Sequence, residues 1–175
     1  MTKKKLIFII VGIVLVLAIA ASLTTYFILD SKTDIFNSRW GMDAEKVKSR
    51  EKMELVNEEE YELVYKTDTF EGTYIQNTLL HFKFDGETKG LWKVSTIFET
   101  TGGFEDKLAV RIINAMINNY GENYEYEENS ANRCYCWTTE NSYVAVEQGE
   151  TYLLVLYQDL ERVEKVTAEK NETAE

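Results

Sequence analysis

The stretch that decides the fold is LWKVSTIFETTGGFEDKLAVRIINAMINNY, residues 91–120. Apolar and polar side chains alternate over residues 91–99, which predicts a strand with one apolar face. A Gly-Gly pair then breaks the strand, and apolar residues recur at helical spacing, which predicts a helix over residues 104–120. A strand and a helix that each bury one side indicate a sheet covered by helices.

Further elements lie on both sides of this unit. The sequence predicts a helix over 44–53 and strands over 61–65, 74–84, 124–128, 133–139, 143–147 and 152–157. Strands joined by short turns are antiparallel. We therefore predict an α+β fold, an antiparallel sheet with two helices packed on one face. The order is helix, three strands, helix, and three or four strands, and one transmembrane helix precedes them.

The N-terminal apolar run indicates where the protein resides. Residues 6–29 contain no charged side chain, and three lysines directly precede them. A run of about 20 apolar residues is long enough to cross a bilayer as a helix, and flanking lysines stay on the cytoplasmic side. The alternative is a signal peptide cleaved after Ala18-Ile19-Ala20. Both interpretations place the rest of the chain outside the cytoplasm.

The anchor interpretation divides the chain into five segments. They are a cytoplasmic basic N-terminus (1–5), a transmembrane anchor (6–29), a tether (30–38), an extracytoplasmic α+β domain (39–160) and a charged tail (161–175). We expect an integral, single-pass protein of a bacterial cell membrane, with its N-terminus in the cytoplasm and its C-terminal domain outside.

The charge balance narrows the class of partner. The chain carries 19 basic and 30 acidic residues, a net charge of −11 at pH 7. Such a field repels nucleic acid and anionic lipid headgroups, so we predict no nucleic-acid partner. A protein or cell-wall partner with basic groups fits better.

The sequence gives no indication of catalysis. His81 is the single histidine, whereas nucleophile–base pairs usually need one beside a nucleophile. No hydrolase, zinc-protease or phosphate-binding motif occurs. We therefore predict no catalytic residues, no cofactor and no metal. The leading hypothesis is a non-enzymatic binding or accessory module of the cell envelope. The alternatives are a carboxylate-dependent hydrolase and a ligand-sensing ectodomain.

The 11 tyrosines suggest where a partner binds. Tyrosine is enriched at protein interfaces because it brings a large contact area at a low entropic cost. On a sheet with one uncovered face, several tyrosines would be exposed together. The predicted interaction face consists of Tyr61, Tyr65, His81, Tyr124 and Tyr126.

Cys134 and Cys136 are the two cysteines of the chain. Residues two apart in a strand point to the same side, with their Cα atoms about 6.6 Å apart. This separation is at the long limit for a disulfide. The pair is interpreted either as two small apolar residues on one face of the sheet or as a redox pair that forms a strained, reducible bridge.

Residues 39–55, RWGMDAEKVKSREKMEL, resemble the Trp-Gly-Met, acid-capped helix that opens a class of small bacterial envelope domains. Tyr120-Gly121 at a helix end and Trp137 in a later strand fit the same pattern. In layout the chain is similar to the small outer-membrane assembly lipoproteins of the SmpA/OmlA type and to the β-lactamase inhibitor protein. This resemblance implies a non-catalytic binding fold in the cell envelope.

Overall fold

A computed structural model describes residues 33–165, and within them the chain forms one antiparallel sheet of eight strands. The strands are β1 (Glu54–Glu59), β2 (Glu62–Phe70), β3 (Thr73–Phe84), β4 (Leu91–Glu99), β5 (Glu125–Glu128), β6 (Arg133–Thr138), β7 (Ser142–Gln148) and β8 (Tyr152–Asp159). The helices are α1 (Ala44–Arg50) and α2 (Lys107–Tyr120), with a 3₁₀ turn (Gly103–Glu105) before α2 and a helical segment that begins at residue 160.

The predicted α+β fold, a sheet with two helices on one face after a transmembrane helix, is wrong. The described residues form chiefly one eight-stranded sheet, in which the acidic segment Glu54–Glu59 is an eighth strand that the sequence pattern does not reveal. Its six residues are all exposed, so it has no apolar side that alternation could mark. Within residues 33–165 no helix is long and apolar enough to span a membrane. The predicted anchor, 6–29, lies outside the described residues.

The sheet consists of two consecutive halves. Each half is a helix followed by four strands, and the strand order is β1-β2-β3-β4-β8-β7-β6-β5. The halves meet along β4 and β8, which pair over seven residues from Lys93–Gln158 to Glu99–Tyr152. The two ends of the sheet are therefore β1 and β5.

The main core lies between the sheet and α2. Asp106 begins this helix, because its carboxylate accepts hydrogen bonds from the backbone N–H groups of Leu108 and Ala109. The buried side of α2 comprises Ala109, Ile112, Ile113 and Met116. These residues belong to one cluster with alternate residues of the strands, among them Leu80, Phe82, Val94, Val155 and Tyr157. The α2-facing side of the sheet is thus continuous across both halves.

Short segments at both ends of the described chain pack on the domain. In the predicted tether, Ile35 is buried in the core and Ser38 donates a hydrogen bond of 2.6 Å to the carboxylate of Glu51. In the predicted tail, Arg162 forms an ion pair with the buried carboxylate of Asp85.

Candidate functional site

The side of the sheet opposite α2 is the strongest candidate for a binding surface. Side chains alternate along each strand, so the residues between the core positions point to this side, which we call the open face. Described residues leave it uncovered, since Ile97 is 63% exposed and Leu79 is 44% exposed. Its apolar part consists of Leu79, Ile97, Tyr143, Ala145, Leu154 and Leu156.

These apolar side chains are continuous across the junction of the two halves. Ile97 on β4 lies opposite Leu154 on β8, and Leu156 lies opposite Ala145 on β7. Directly opposite residues on one side of a sheet have Cβ atoms about 5 Å apart, so they form a contiguous patch. The patch therefore spans the centre of the open face.

A cleft opens beside this patch, where β3 and β4 separate. Their paired residues run from Phe84–Leu91 to His81–Ser95 and then stop. On the other side of β3, where its pairing with β2 is irregular, Asn77 takes a left-handed backbone, with φ 59°, and its N–H donates to the Asp68 carboxylate at 2.9 Å. The resulting cavity of about 320 Å³ is lined by Leu79, His81 and Ile97, among others. It could accept an apolar side chain of a partner.

The open face is basic towards β3 and β4. Lys83 and Lys93 lie directly opposite each other. Glu62 balances them in part, because its Oε1 lies 3.1 Å from Nδ1 of His81 and 3.5 Å from Nζ of Lys83. Burial, followed by the like charge of Lys83, lowers the pKa of Lys93.

The opposite end of the open face is acidic. Glu125 and Glu127 on β5 flank Cys136 and Cys134 on β6, and Glu147 on β7 lies on the other side of Cys134. The patch thus lies between lysines at one end and carboxylates at the other. This gradient favours one orientation of a charged partner.

The residues predicted to form the interaction face do not come together. Tyr65 is 2% exposed, so its inclusion in the interaction face was an error. In β2 both Val64 and Tyr65 are buried, one on each side of the sheet. The alternation in the sequence therefore could not tell which side the core covers. His81 lies on the open face. Tyr61 is at the β1–β2 turn, where its hydroxyl accepts a 2.9 Å hydrogen bond from Lys89.

The two remaining tyrosines of the predicted face lie on the α2 side of the sheet. Tyr126 is opposite Tyr135 on β6, with ring centroids 5.1 Å apart. Tyr124 packs between Tyr135 and Trp137, at 5.5 and 5.4 Å. They extend the aromatic core to the sheet edge. The sequence analysis did not identify the apolar residues of the open face, Leu79, Ile97, Leu154 and Leu156, because they occur in runs that are apolar on both sides.

A second depression lies at the end of the sheet near the start of the described chain. This carboxylate cleft has a volume of about 500 Å³ and is lined by Asp34, Glu140, Asp159, Glu161 and Glu164, together with Arg39. Burial raises the pKa of Asp159, and the negative charges of Glu161 and Asp34 add to the rise. Among residues 33–165, no three His, Cys, Asp or Glu side chains are arranged to hold a metal ion.

We compared the chain with known protein families, curated proteins and solved structures. No family model matches the chain, and no curated protein or solved structure matches it significantly.

Proposed function

We propose that this chain is a non-enzymatic binding module of the cell envelope that docks a protein partner on its open face. The observation that carries the proposal is the apolar patch in which exposed Ile97 lies opposite the half-buried Leu154. A sheet with one side packed on a helix ordinarily presents polar side chains on the other side. Contiguous apolar surface of this kind marks interaction sites.

The charges around the patch specify the partner chemistry. Glu125, Glu127 and Glu147 lie at one end, and the chain as a whole is strongly acidic. The fitting partner is a protein surface with apolar side chains next to lysine or arginine. An anionic surface or a nucleic acid would be repelled.

The placement in the envelope is part of the proposal, and the N-terminal sequence supports it. An uncharged apolar run after three lysines is typical of exported or membrane-held proteins. Partner and domain would then meet outside the cytoplasm.

Site-specific photocrosslinking tests the proposed surface in the envelope of the host. A photoreactive amino acid at position 97 should give a discrete adduct with one protein, and the same probe at position 110 should not. Val110 is the matched control, because it is 40% exposed but belongs to α2, on the other side of the sheet. Equal adducts from both positions would contradict the proposal.

The charge requirement is tested in the same assay. Replacing Glu125, Glu127 and Glu147 with glutamine should reduce the adduct from position 97, and added salt should reduce the wild-type adduct in the same way. If neither change affects the yield, the partner does not use the acidic end.

The carboxylate cleft favours a second candidate, a carboxylate-dependent hydrolase. Such enzymes pair a carboxylic acid of raised pKa with a second carboxylate; in this cleft the pKa of Asp159 is raised, and Asp34 supplies a second carboxylate. The full chain would then release soluble fragments from labelled cell-wall polymer, and Asp159→Asn would abolish the release. No release by the wild type would exclude this candidate for that substrate.

A further inference from the structure

The two thiols lie together on the open face. Cys134 and Cys136 are adjacent on the same side of β6, half-buried and unbonded, with their sulfur atoms 3.3 Å apart. A disulfide requires about 2.05 Å between the sulfurs and Cα atoms no more than about 6.8 Å apart. Since two residues of extended strand span about 6.6 Å, a small movement of the side chains and of β6 brings the sulfurs to bonding distance.

The surroundings of the two sulfurs differ. The hydroxyl of Tyr143 donates a hydrogen bond of 3.1 Å to Sγ of Cys136, which would stabilise a thiolate at that atom. Cys134 has a carboxylate on each side, Glu127 on β5 and Glu147 on β7. Cys136 has Ala145 on its β7 side, and Glu125 on β5 is its one directly opposite acid.

The pKa of Cys134 agrees with this difference between the surroundings of the two sulfurs. Burial above all, then the Cys136 thiol and the charges of Glu147 and Glu127, raises the pKa of Cys134 to about 12. The thiolate is the reactive form of cysteine. Cys136 accepts the Tyr143 hydrogen bond and faces one carboxylate, whereas Cys134 faces two, so the geometry favours Cys136 as the attacking sulfur.

We propose that Cys134 and Cys136 form a reversible dithiol–disulfide pair that exchanges with low-molecular-weight disulfides, with Cys136 as the attacking sulfur. The Cys136 thiolate attacks one sulfur of the small disulfide, forming a mixed disulfide and releasing one thiolate. Cys134 then loses its proton to solvent and attacks the Cys136 sulfur, which releases the second thiolate and closes the bridge. The pair loses two electrons and two protons, and the small disulfide is reduced to two thiols.

Closing the bridge would change the open face without any partner, so the inference goes beyond the proposed function. The bridge pulls together two residues that an extended strand holds near the limit of disulfide geometry. A strained bridge is reduced more easily than a structural one. The pair would thus respond to the redox state of its surroundings.

Mass spectrometry of the full chain tests the proposal. The protein is equilibrated with mixtures of reduced and oxidised glutathione, quenched with acid and alkylated. As the oxidised fraction rises, a species should appear that has lost two hydrogen atoms and takes up no alkyl group, and excess reduced glutathione should reverse it. Two alkylated thiols at every ratio, or glutathione on both sulfurs, would overturn the proposal.

Single variants test the order of attack. Cys134→Ser should accumulate a glutathione adduct at Cys136, since the resolving sulfur is missing, whereas Cys136→Ser should form its adduct several-fold more slowly. Equal rates would overturn the assignment of Cys136 as the attacking sulfur. Circular dichroism spectra and melting temperatures close to those of the wild type verify that both variants are folded.

Tyr143 is assigned as a positioning residue. Tyr143→Phe should slow the reaction of Cys136 several-fold and move the midpoint of its pH–rate profile to higher pH, because the hydrogen bond to the thiolate is lost. The control is Tyr152→Phe on β8, whose hydroxyl donates to Glu147 and contacts neither sulfur. If both variants have the same rate and midpoint, Tyr143 has no such role.

Discussion

Glu71 links the β2–β3 turn to the core. It has a left-handed backbone, with φ 48°, and its carboxylate accepts hydrogen bonds from the hydroxyl of Tyr157 and from Nδ2 of Asn119, the latter at 2.6 Å. Tyr157 is fully buried in the core between α2 and the sheet. Glu71 is the charged acceptor of its hydroxyl, and the other partners of that hydroxyl are the hydroxyl of Tyr120 and the thioether sulfur of Met116, the latter at 3.7 Å.

Glu71→Ala should lower the free energy of unfolding by about 1–3 kcal/mol, because it removes the charged acceptor of the buried Tyr157 hydroxyl. Urea unfolding measures the loss. In a Tyr157→Phe background the same substitution should cost less, because the buried Tyr157 hydroxyl is no longer there to lose its charged acceptor. Equal losses in the two backgrounds would show that the Tyr157 hydrogen bond is not what Glu71 contributes.

Asp159 makes the stability of the fold depend on pH in the opposite direction to an ordinary ion-paired carboxylate. Its pKa is raised in the folded state above the unfolded value of about 3.9, so the charged form is disfavoured by folding. At neutral pH this side chain reduces stability, and the penalty disappears as the pH falls through the folded pKa.

Asp159→Asn should therefore raise the melting temperature at neutral pH, and the gain should shrink on acidification. Glu140→Gln, which removes an exposed carboxylate from the same cleft, should change the melting temperature less. A gain in melting temperature that grows on acidification would contradict a raised pKa of Asp159 in the folded state.

At the scale of elements, the two edge strands share one chemical feature. β1 (ELVNEE) and β5 (EYEE) are exposed and rich in glutamate. An edge strand presents unpaired backbone groups that can pair with another molecule, and charged side chains oppose such pairing. The acidic edges therefore help to keep the sheet from extending between molecules.

Replacing Glu125, Glu127 and Glu128 with glutamine should promote self-association, because it removes the repulsion along β5. Light scattering at increasing protein concentration measures this. The control carries glutamine at the exposed loop positions Glu122, Glu140 and Glu150, which changes the net charge equally. Equal association of both variants would mean that net charge matters and edge position does not.

The elements also show how far sequence reasoning reaches. The strand over residues 91–99 has the predicted bounds, because its alternation is regular and glycines end it. The predicted helix over residues 104–120 begins later, at Lys107, since Asp106 is the residue whose carboxylate caps it. β1 was missed because all its residues are exposed, so only pairing with β2 identifies it as a strand.

The open face was harder to predict than the strands. In β8, YLLVLYQD, both sides are largely apolar, so the pattern does not tell which side meets α2. Long-range packing decides this, as when Val155 lies in the core and Leu154 on the open face. For the same reason Tyr65 was assigned to the wrong environment, whereas the position of Cys134 and Cys136 on one side of a strand follows from spacing alone.

At the scale of the whole molecule, the two halves should unfold as one unit. They share a continuous core, and Val155 in β8 lies opposite Thr96 of β4 along their junction. Val155→Ala should lower the free energy of unfolding by about 1–3 kcal/mol. If the halves unfold together, amides in both halves should lose the same amount of protection.

Native-state hydrogen exchange tests this by comparing the most protected amides of β3 with those of β7. Val110→Ala, on the exposed side of α2, should leave both unchanged. Protection lost in β7 alone would show that the halves unfold separately.

The junction between β4 and β8 also divides the described domain into two fragments of similar layout. A break in the chain at residues 100–106 would leave each fragment with its own helix and a four-strand meander. One fragment would present the bare edge of Leu91–Glu99 and the other that of Tyr152–Asp159, and each edge is completed by the other. Strand pairing and the shared core therefore hold the two fragments together in addition to the peptide linkage, and we expect separately produced fragments to reassociate, with the linkage raising their effective concentration.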